Sequence, residues 1–269
     1  MYTIATLYQL QQHLGLDSGV DDDRLLFALQ AASVHIERLA GRQFCPKVAT
    51  IDHSLDPRRR NELLLSDDLL ELDYLSTNDG ATYSLDDVLL VPGNDEPSAV
   101  IYLTGGNAFT WDDTSVLAAS VTGTWGWHYD WSNAWCDSAD VVKNASLGAS
   151  DTTITVADSQ AADAESQSPR FQVGQLLQIE DEYLRVLAIT VNAGADDTLT
   201  VQRAVNGTTA AAHAQNTIIY SYQPVTNVVG LCLRWAAWLY REPDMPQGDG
   251  ILPAFMGELE TMRRVSVRA

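Results

Sequence analysis

Thr6-Leu7-Tyr8-Gln9-Leu10-Gln11-Gln12-His13-Leu14-Gly15-Leu16 is the stretch from which the rest of the chain is read. Thr6 and Gln9 stand at the spacing of a capping box, in which each side chain satisfies a backbone N–H of the other. Leu7, Leu10 and Leu14 then fall on one helical face. Gly15 supplies the left-handed residue that closes such a helix. After an acidic turn a longer helix is predicted from Asp21-Asp22-Asp23 to Ala40, closed by Gly41-Arg42-Gln43-Phe44. The three aspartates sit where carboxylates favour the helix dipole, so they read as capping and not as a metal site. Leu25 or Leu26, Leu29, Ala32, Ile36 and Leu39 form its apolar stripe.

The far end of the chain is also helical. Val228 to Tyr240 contains one charged residue, Arg234. A helix apolar on nearly every side must be covered on nearly every side. It is too short to span a bilayer, so it reads as a core helix, an oligomer contact, or both. Glu242-Pro243 ends it. Leu252 to Arg264 can form a last helix, and Arg263, Arg264 and Arg268 make the tail basic in an otherwise acidic chain.

Between these ends the pattern is β. Thr50–Leu55, Glu62–Leu65, Tyr83–Leu85, Ala99–Leu103 and Ser120–Trp127 read as strands, with turns at Asn78-Asp79-Gly80 and Pro92-Gly93-Asn94. From about Val141 the composition shifts to Thr, Ala, Val, Asp and Gln. Short strands at Thr152–Val156, Leu176–Glu180, Tyr183–Leu187, Thr198–Gln202 and Thr217–Tyr220 indicate a small β-barrel or sandwich. Ala157 to Ser168 is a low-complexity loop expected to be mobile. The predicted class is therefore α+β: a helical bundle core with a small β region and an inserted β-barrel or sandwich. The predicted domains are 1–140 with 223–269, discontinuous and helical, and 141–222, the inserted β unit. Two terminal helical segments with apolar stripes are expected to pack together.

The 269 residues carry 46% apolar side chains, enough for a real core. The net charge of −20 excludes a surface that grips nucleic acid or anionic membranes. Lys47 and Lys143 are the only lysines. Cys45, Cys136 and Cys232 lie far apart and show no metal-binding spacing, so free buried thiols are expected. The start Met1-Tyr2-Thr3-Ile4 has no basic or apolar leader region, and no apolar run reaches the ~20 residues of a membrane span.

The opening helix pair resembles the head–tail connector, or adaptor, proteins of tailed bacteriophages. The resemblance rests on the Thr-Leu-x-x-Leu-x-x-x-Leu-Gly-Leu opening, the Asp-rich turn, the Leu/Ala-rich helix and the aromatic Phe44 after Gly41-Arg42. The strand end Gly123-Thr124-Trp125-Gly126-Trp127 and the apolar helix at Val228–Tyr240 are similar too. It covers about 1–140 and 223–269. The segment with Val173-Gly174-Gln175, Ile179-Glu180-Asp181-Glu182 and Gln202-Arg203 through His213 resembles a β module of phage virion proteins, in which the Arg, Gly-Thr and Ala-x-x-His elements shape a turn.

The resemblance implies a bundle core of the connector type in a virion neck protein assembled in the bacterial cytoplasm. It implies a homo-oligomeric ring, a dodecamer, below the portal protein. Such a ring extends the DNA channel for packaging and ejection and presents a surface to the next neck or tail protein. Genomic DNA would pass an acidic lumen without specific binding, and no membrane is involved. The expected subunit contacts are Leu25, Leu29, Ile36, Leu231, Trp235 and Trp238. Arg263, Arg264 and Arg268 are the expected portal-docking residues, so removing Met262–Ala269 should abolish attachment and leave the monomer folded. The β insert is expected on the outside of the ring.

No enzymatic chemistry stands out, and no cofactor or metal is expected. Trp125, Trp127, Tyr129, Trp131 and Trp135 crowd into eleven residues, read as core packing with subunit contact. The alternative reading is a carbohydrate- or receptor-binding tail module using this cluster and the β insert. Asp52, His53 and Asp56, and likewise Asp112 and Asp113, read as solvated turns. His213 reads as a structural turn residue, and Glu180-Asp181-Glu182 as a hairpin turn. No G-x-S-x-G, H-E-x-x-H or P-loop pattern occurs.

Overall fold

The computed structural model of the chain describes residues 3–17, 19–93, 96–241 and 253–264. The chain begins with α1 (Leu7–Leu14) and α2 (Asp22–Ala40). Strands β1 (Lys47–His53), β2 (Glu62–Thr77), β3 (Val88–Val91), β4 (Ser98–Leu103) and β5 (Ala119–Trp125) follow. Then come β6 (Trp135–Val141), β7 (Ser146–Leu147), β8 (Thr153–Val156), β9 (Leu176–Ile179) and β10 (Glu182–Thr190). β11 (Asp197–Gln202), β12 (His213–Ala214), β13 (Ile218–Tyr222), α3 (Thr226–Arg241) and α4 (Pro253–Met262) complete it.

The expected helical bundle core is overturned. The chain is mainly antiparallel β: a five-stranded sheet, a six-stranded sheet and a two-stranded ladder, with four α-helices among the described residues. Both large strand-borne cores, one around Leu63, Leu75 and Phe109 and one around Ile154, Leu177 and Leu199, are built by sheets. Several strands lie where no strand pattern is legible. β2 runs for 16 residues, well past Leu65, and β6 and β3 lie in stretches read as neither helix nor strand. Tyr83–Leu85 is the one predicted strand that fails; a 3-10 turn at Leu85–Asp87 occupies its end.

The chain divides into two compact units, Met1–Gly41 with Asn133–Ala269, and Arg42–Ser132. The predicted domain edges at 140/141 and 222/223 both fall within the first unit, where β6 pairs with β13 in one sheet.

The unit Arg42–Ser132 holds the sheet β1-β5-β2-β4-β3. β2 pairs with β4 through Glu62–Leu64 and with β5 through Leu69–Thr77. Its register slips between Leu69 and Glu71 and again between Leu72 and Tyr74. Each slip is a bulge, one extra residue that bends the strand. Core-facing Leu69, Leu72 and Leu75 therefore recur every third residue. Opposite them, β5 runs so close to β2 that a Cβ on Gly123 would collide with the Glu71 carbonyl oxygen. Thr77 and Ala81 close the predicted turn, with Asn78-Asp79-Gly80 between them and Asp79 accepting from Thr77 Oγ1 and Ala81 N. Hydrogen bonding from Thr110, and then from Thr77 and Ala81, holds the Asp79 carboxyl below its usual range.

The other unit contains the sheet β6-β13-β9-β10-β11-β8 and the β12–β7 ladder. Its Ala157–Ser168 loop is tied by carboxylates at both ends. Asp140 accepts from Ala157 N and Asp158 N, Asp197 from Ser159 N and Oγ, and Asp163 from Glu165 N and Gln167 N. Of these carboxylates Asp163 belongs to the loop itself, while Asp140 and Asp197 reach it from β6 and β11.

The four helices belong to the same unit. The capping box forms as predicted: Gln9 N donates to Thr6 Oγ1 at 3.2 Å and Thr6 N to Gln9 Oε1 at 3.0 Å. Gly15 and Gly41 adopt the left-handed conformation at the two C-termini. Asp22 and Asp23 lie in the first turn of α2, as the helix dipole favours, but Asp21 at the N-cap position does not cap through its side chain. Asp21 has φ 55 and makes no side-chain cap bond. Its carboxylate instead accepts from Tyr240 Oη at 2.8 Å and pairs with Arg24. Asp22 accepts from Gln11 Nε2, joining α2 to α1.

Candidate assembly surface

α2 packs along α3, and α1 and α4 pack against this pair. Ile4 N donates to Ser33 Oγ, which donates to Leu29 O, so even the polar residue inside the layer is satisfied. Trp235 is stacked between His35, 5.7 Å away by ring centroids, and Phe255, 5.5 Å away. Leu25, Leu29, Ile36 and Leu231 are wholly buried in this layer, Trp235 is 4% exposed and Trp238 is half-buried. The six residues expected at subunit contacts thus lie on the faces the helices turn to one another or at their margin.

The opposite face of α2 is apolar as well. Phe27 is 72% exposed and Val34 59%, with half-buried Ala31 between them. Spacings of four and three place them in one row along the helix. Periodicity does not single out this row, because the stripe at Leu25, Leu29 and Ile36 already accounts for one full apolar face. The signal that could have found it is a helix carrying two apolar stripes.

Arg263 is exposed and pairs with Glu260 at 3.5 Å. Arg264 is half-buried and its N–H donates to Ala40 O. Arg268 lies outside the described residues. Met262 is 4% exposed, so removing Met262–Ala269 would open the helix layer as well as remove the basic tail.

The tryptophan run separates into different packing groups. Trp125 is buried, donates from Nε1 to Ala49 O at 2.9 Å and stacks on His53. Trp127 meets Phe44 and Tyr129 edge-on, at 5.7 and 6.2 Å between ring centroids, and lies under the Arg42 guanidinium, 5.2 Å from the ring centre. Trp131 opens a 3-10 turn, Trp131–Asn133. Trp135 packs on Tyr183 and Tyr222. All seven tryptophans are buried or half-buried.

A cavity of about 230 Å³ lies beside Arg42, Lys47, Thr50, Asp67, Asp68 and Trp125. Its charges are mixed, with Arg42 3.6 Å from Asp68. Among the described residues no group of three His, Cys, Asp or Glu side chains could hold a metal. All three cysteines are buried and form no disulfide. Burial pushes the Cys232 and Cys136 thiols up to about 11, which leaves them unreactive. Among the described residues no helix is long and apolar enough to cross a membrane.

The most highly organised polar group is Glu182, 1% exposed at the start of β10. Arg203 grips it with Nε at 2.7 Å and Nη2 at 2.6 Å. Ala204 N and Ala211 N donate to it at 3.0 and 3.1 Å, and His213 Nε2 lies at 2.9 Å. Burial raises the Glu182 carboxyl, but the bonds from Arg203, Ala211, His213 and Ala204 outweigh it and bring it down to about 2. Arg203 also donates to the carbonyls of Gly148, Asp151 and Ala211. The predicted hairpin turn is present at Glu180-Asp181, since Glu182 pairs with Ile179. That His213 and Arg203 converge on Glu182 was not visible in the sequence. Neither the models of known protein families nor the curated protein sequences yield a match to this chain.

Proposed function

We propose that the chain is a structural adaptor of a tailed-phage neck, whose copies form a ring below the portal, extend the DNA channel and join head to tail. The observation that carries this reading is the outward row Phe27–Ala31–Val34 on α2, the helix in the connector-like opening. The inner face of that helix is covered by α3 within the chain. The outer row is left for a second copy of the same chain, because a ring repeats one heterologous contact at every subunit. This moves the subunit contact from Leu25, Leu29 and Ile36 to the opposite side of the same helix.

The charge supports the same reading. A net charge of −20 lets DNA pass without the cation-for-counterion exchange that makes binding strong. The basic Arg263, Arg264 and Arg268 are opposite in sign to the net charge of the chain, which suits them to docking on the portal. The chain acts as a structural part and not as an enzyme.

The test is the particle mass in solution, alone and with the portal protein, for the natural chain and for Phe27→Asp combined with Val34→Asp. A ring mass that collapses to monomer in the double variant, with unchanged circular dichroism, supports the contact. A ring of unchanged mass sinks it. Arg263→Glu, Arg264→Glu and Arg268→Glu together should abolish portal attachment, and they leave Met262 in place where the truncation does not.

A further inference from the structure

We propose that His213 carries a proton on both ring nitrogens and, as an imidazolium, latches β12 onto the turn between β9 and β10. Removing either carboxylate contact of the ring then opens this end of the β module. The inference does not depend on the neck reading. His213 is 3% exposed, and each ring nitrogen faces a carboxylate oxygen: Nδ1 lies 2.7 Å from Glu180 Oε2, and Nε2 lies 2.9 Å from Glu182 Oε2.

The proton positions follow from the partners. Glu182 receives two guanidinium N–H groups and two backbone N–H groups, all of which can only donate. Its carboxylate is therefore ionised and acceptor-only, so Nε2 must carry hydrogen. Glu180 is 58% exposed at its side chain, where water keeps a carboxylate ionised at neutral pH. An ionised Glu180 at 2.7 Å requires hydrogen on Nδ1 as well. A neutral imidazole has one N–H and would set a lone pair against one of the two carboxylates. With both protons present, Glu180, Glu182, Arg203 and His213 sum to zero charge. Without one, a net negative charge is left around a buried ring.

The other ionisable groups nearby do not supply this balance. Asp181 lies in the turn and is exposed. Asp151, in the turn after β7, accepts from Gly148 N with its carboxylate and from Arg203 with its carbonyl. Tyr183 packs on Trp135. The β12–β7 ladder that His213 belongs to is only two residues long, so the ladder alone holds the strand weakly.

The experiment uses the full chain with ¹⁵N-labelled histidine. The His213 ring signals are identified by their absence in His213→Gln. At neutral pH both ring nitrogens should carry hydrogen; a ring with one N–H overturns the proposal. Glu180→Gln should lower the exchange protection of the Ala211 amide, while the Val121 amide keeps its protection. Protection of Ala211 that survives loss of the Glu180 carboxylate overturns the latch.

Discussion

The two β units solve the same problem with different chemistry. The sheet of Arg42–Ser132 is held by apolar volume, with Leu63, Leu69, Leu75, Ile101, Phe109 and Val121 buried together. The six-stranded sheet has an apolar core too, but its connecting segments are fastened by buried charges that meet at Glu182. Apolar packing is graded: each lost methylene costs a little, and neighbours relax to fill part of the gap. A buried charge cluster is not graded, because removing one member leaves the others charged and unpartnered in a poor solvent. The unit Arg42–Ser132 should thus respond to volume and the unit that holds Glu182 to charge and pH.

The largest separation between them should come from Glu182→Ala. It strands Arg203 and His213 and is expected to lower stability by about 3–5 kcal/mol. The readout is amide exchange, with protection lost in the six-stranded sheet and retained at β5. Acid should act in the same direction. Since the Glu182 carboxyl is lowered from 4.5 to about 2, its contribution is complete above about pH 4.5 and disappears as the pH falls through about 2. If acid melts both units together, the contrast drawn between them fails.

Leu75→Ala should cost about 3 kcal/mol in the apolar unit, seen as a lower urea midpoint, with little change in its pH dependence. Gly123→Ala tests the bulged pairing directly. The added methyl meets the Glu71 backbone, which cannot rotate away as a side chain would. A loss of about 1–3 kcal/mol is expected, with the damage confined to the β2–β5 pair. The smallest effect is Thr6→Ala in the helix layer, about 1 kcal/mol, because one capping bond is lost and the helix stays packed. A Thr6→Ala loss as large as that of Leu75→Ala would mean that the short contact between Thr6 Oγ1 and Gln172 Oε1 ties the helices to the β module more strongly than the cap itself.

The legibility of the chain divides along physical lines. The α1 cap, the glycine stops after α1 and α2, and the Asn78-Asp79-Gly80 turn were readable, because each depends on residues within four positions. Strands β8 to β11 were close to their predicted places, because short apolar and β-branched runs there are set off by Gly, Asp and Asn turns. β2 was not readable beyond Leu65. Its two bulges insert Leu70 and Asp73, so Leu69, Leu72 and Leu75 follow a spacing of three, which is not a strand's period. That missed strand is a main reason why the β region looked small and a helical bundle looked like the core. The assembly surface was half-readable. The sequence pointed to α2, but Phe27 and Val34 were passed over for Leu25, Leu29 and Ile36, which the chain covers for itself.

Where helices start and stop, where tight turns fall and how acidic the surface is can all be read along the chain. These are set by backbone freedom, capping and composition, all local or additive quantities. Which face of α2 is left outward, how β2 bends across two partners, and the meeting of His213 with Glu182 from 31 positions away come from long-range packing. Each of those depends on which distant segments are brought within a few ångströms, and neither periodicity nor composition carries that information.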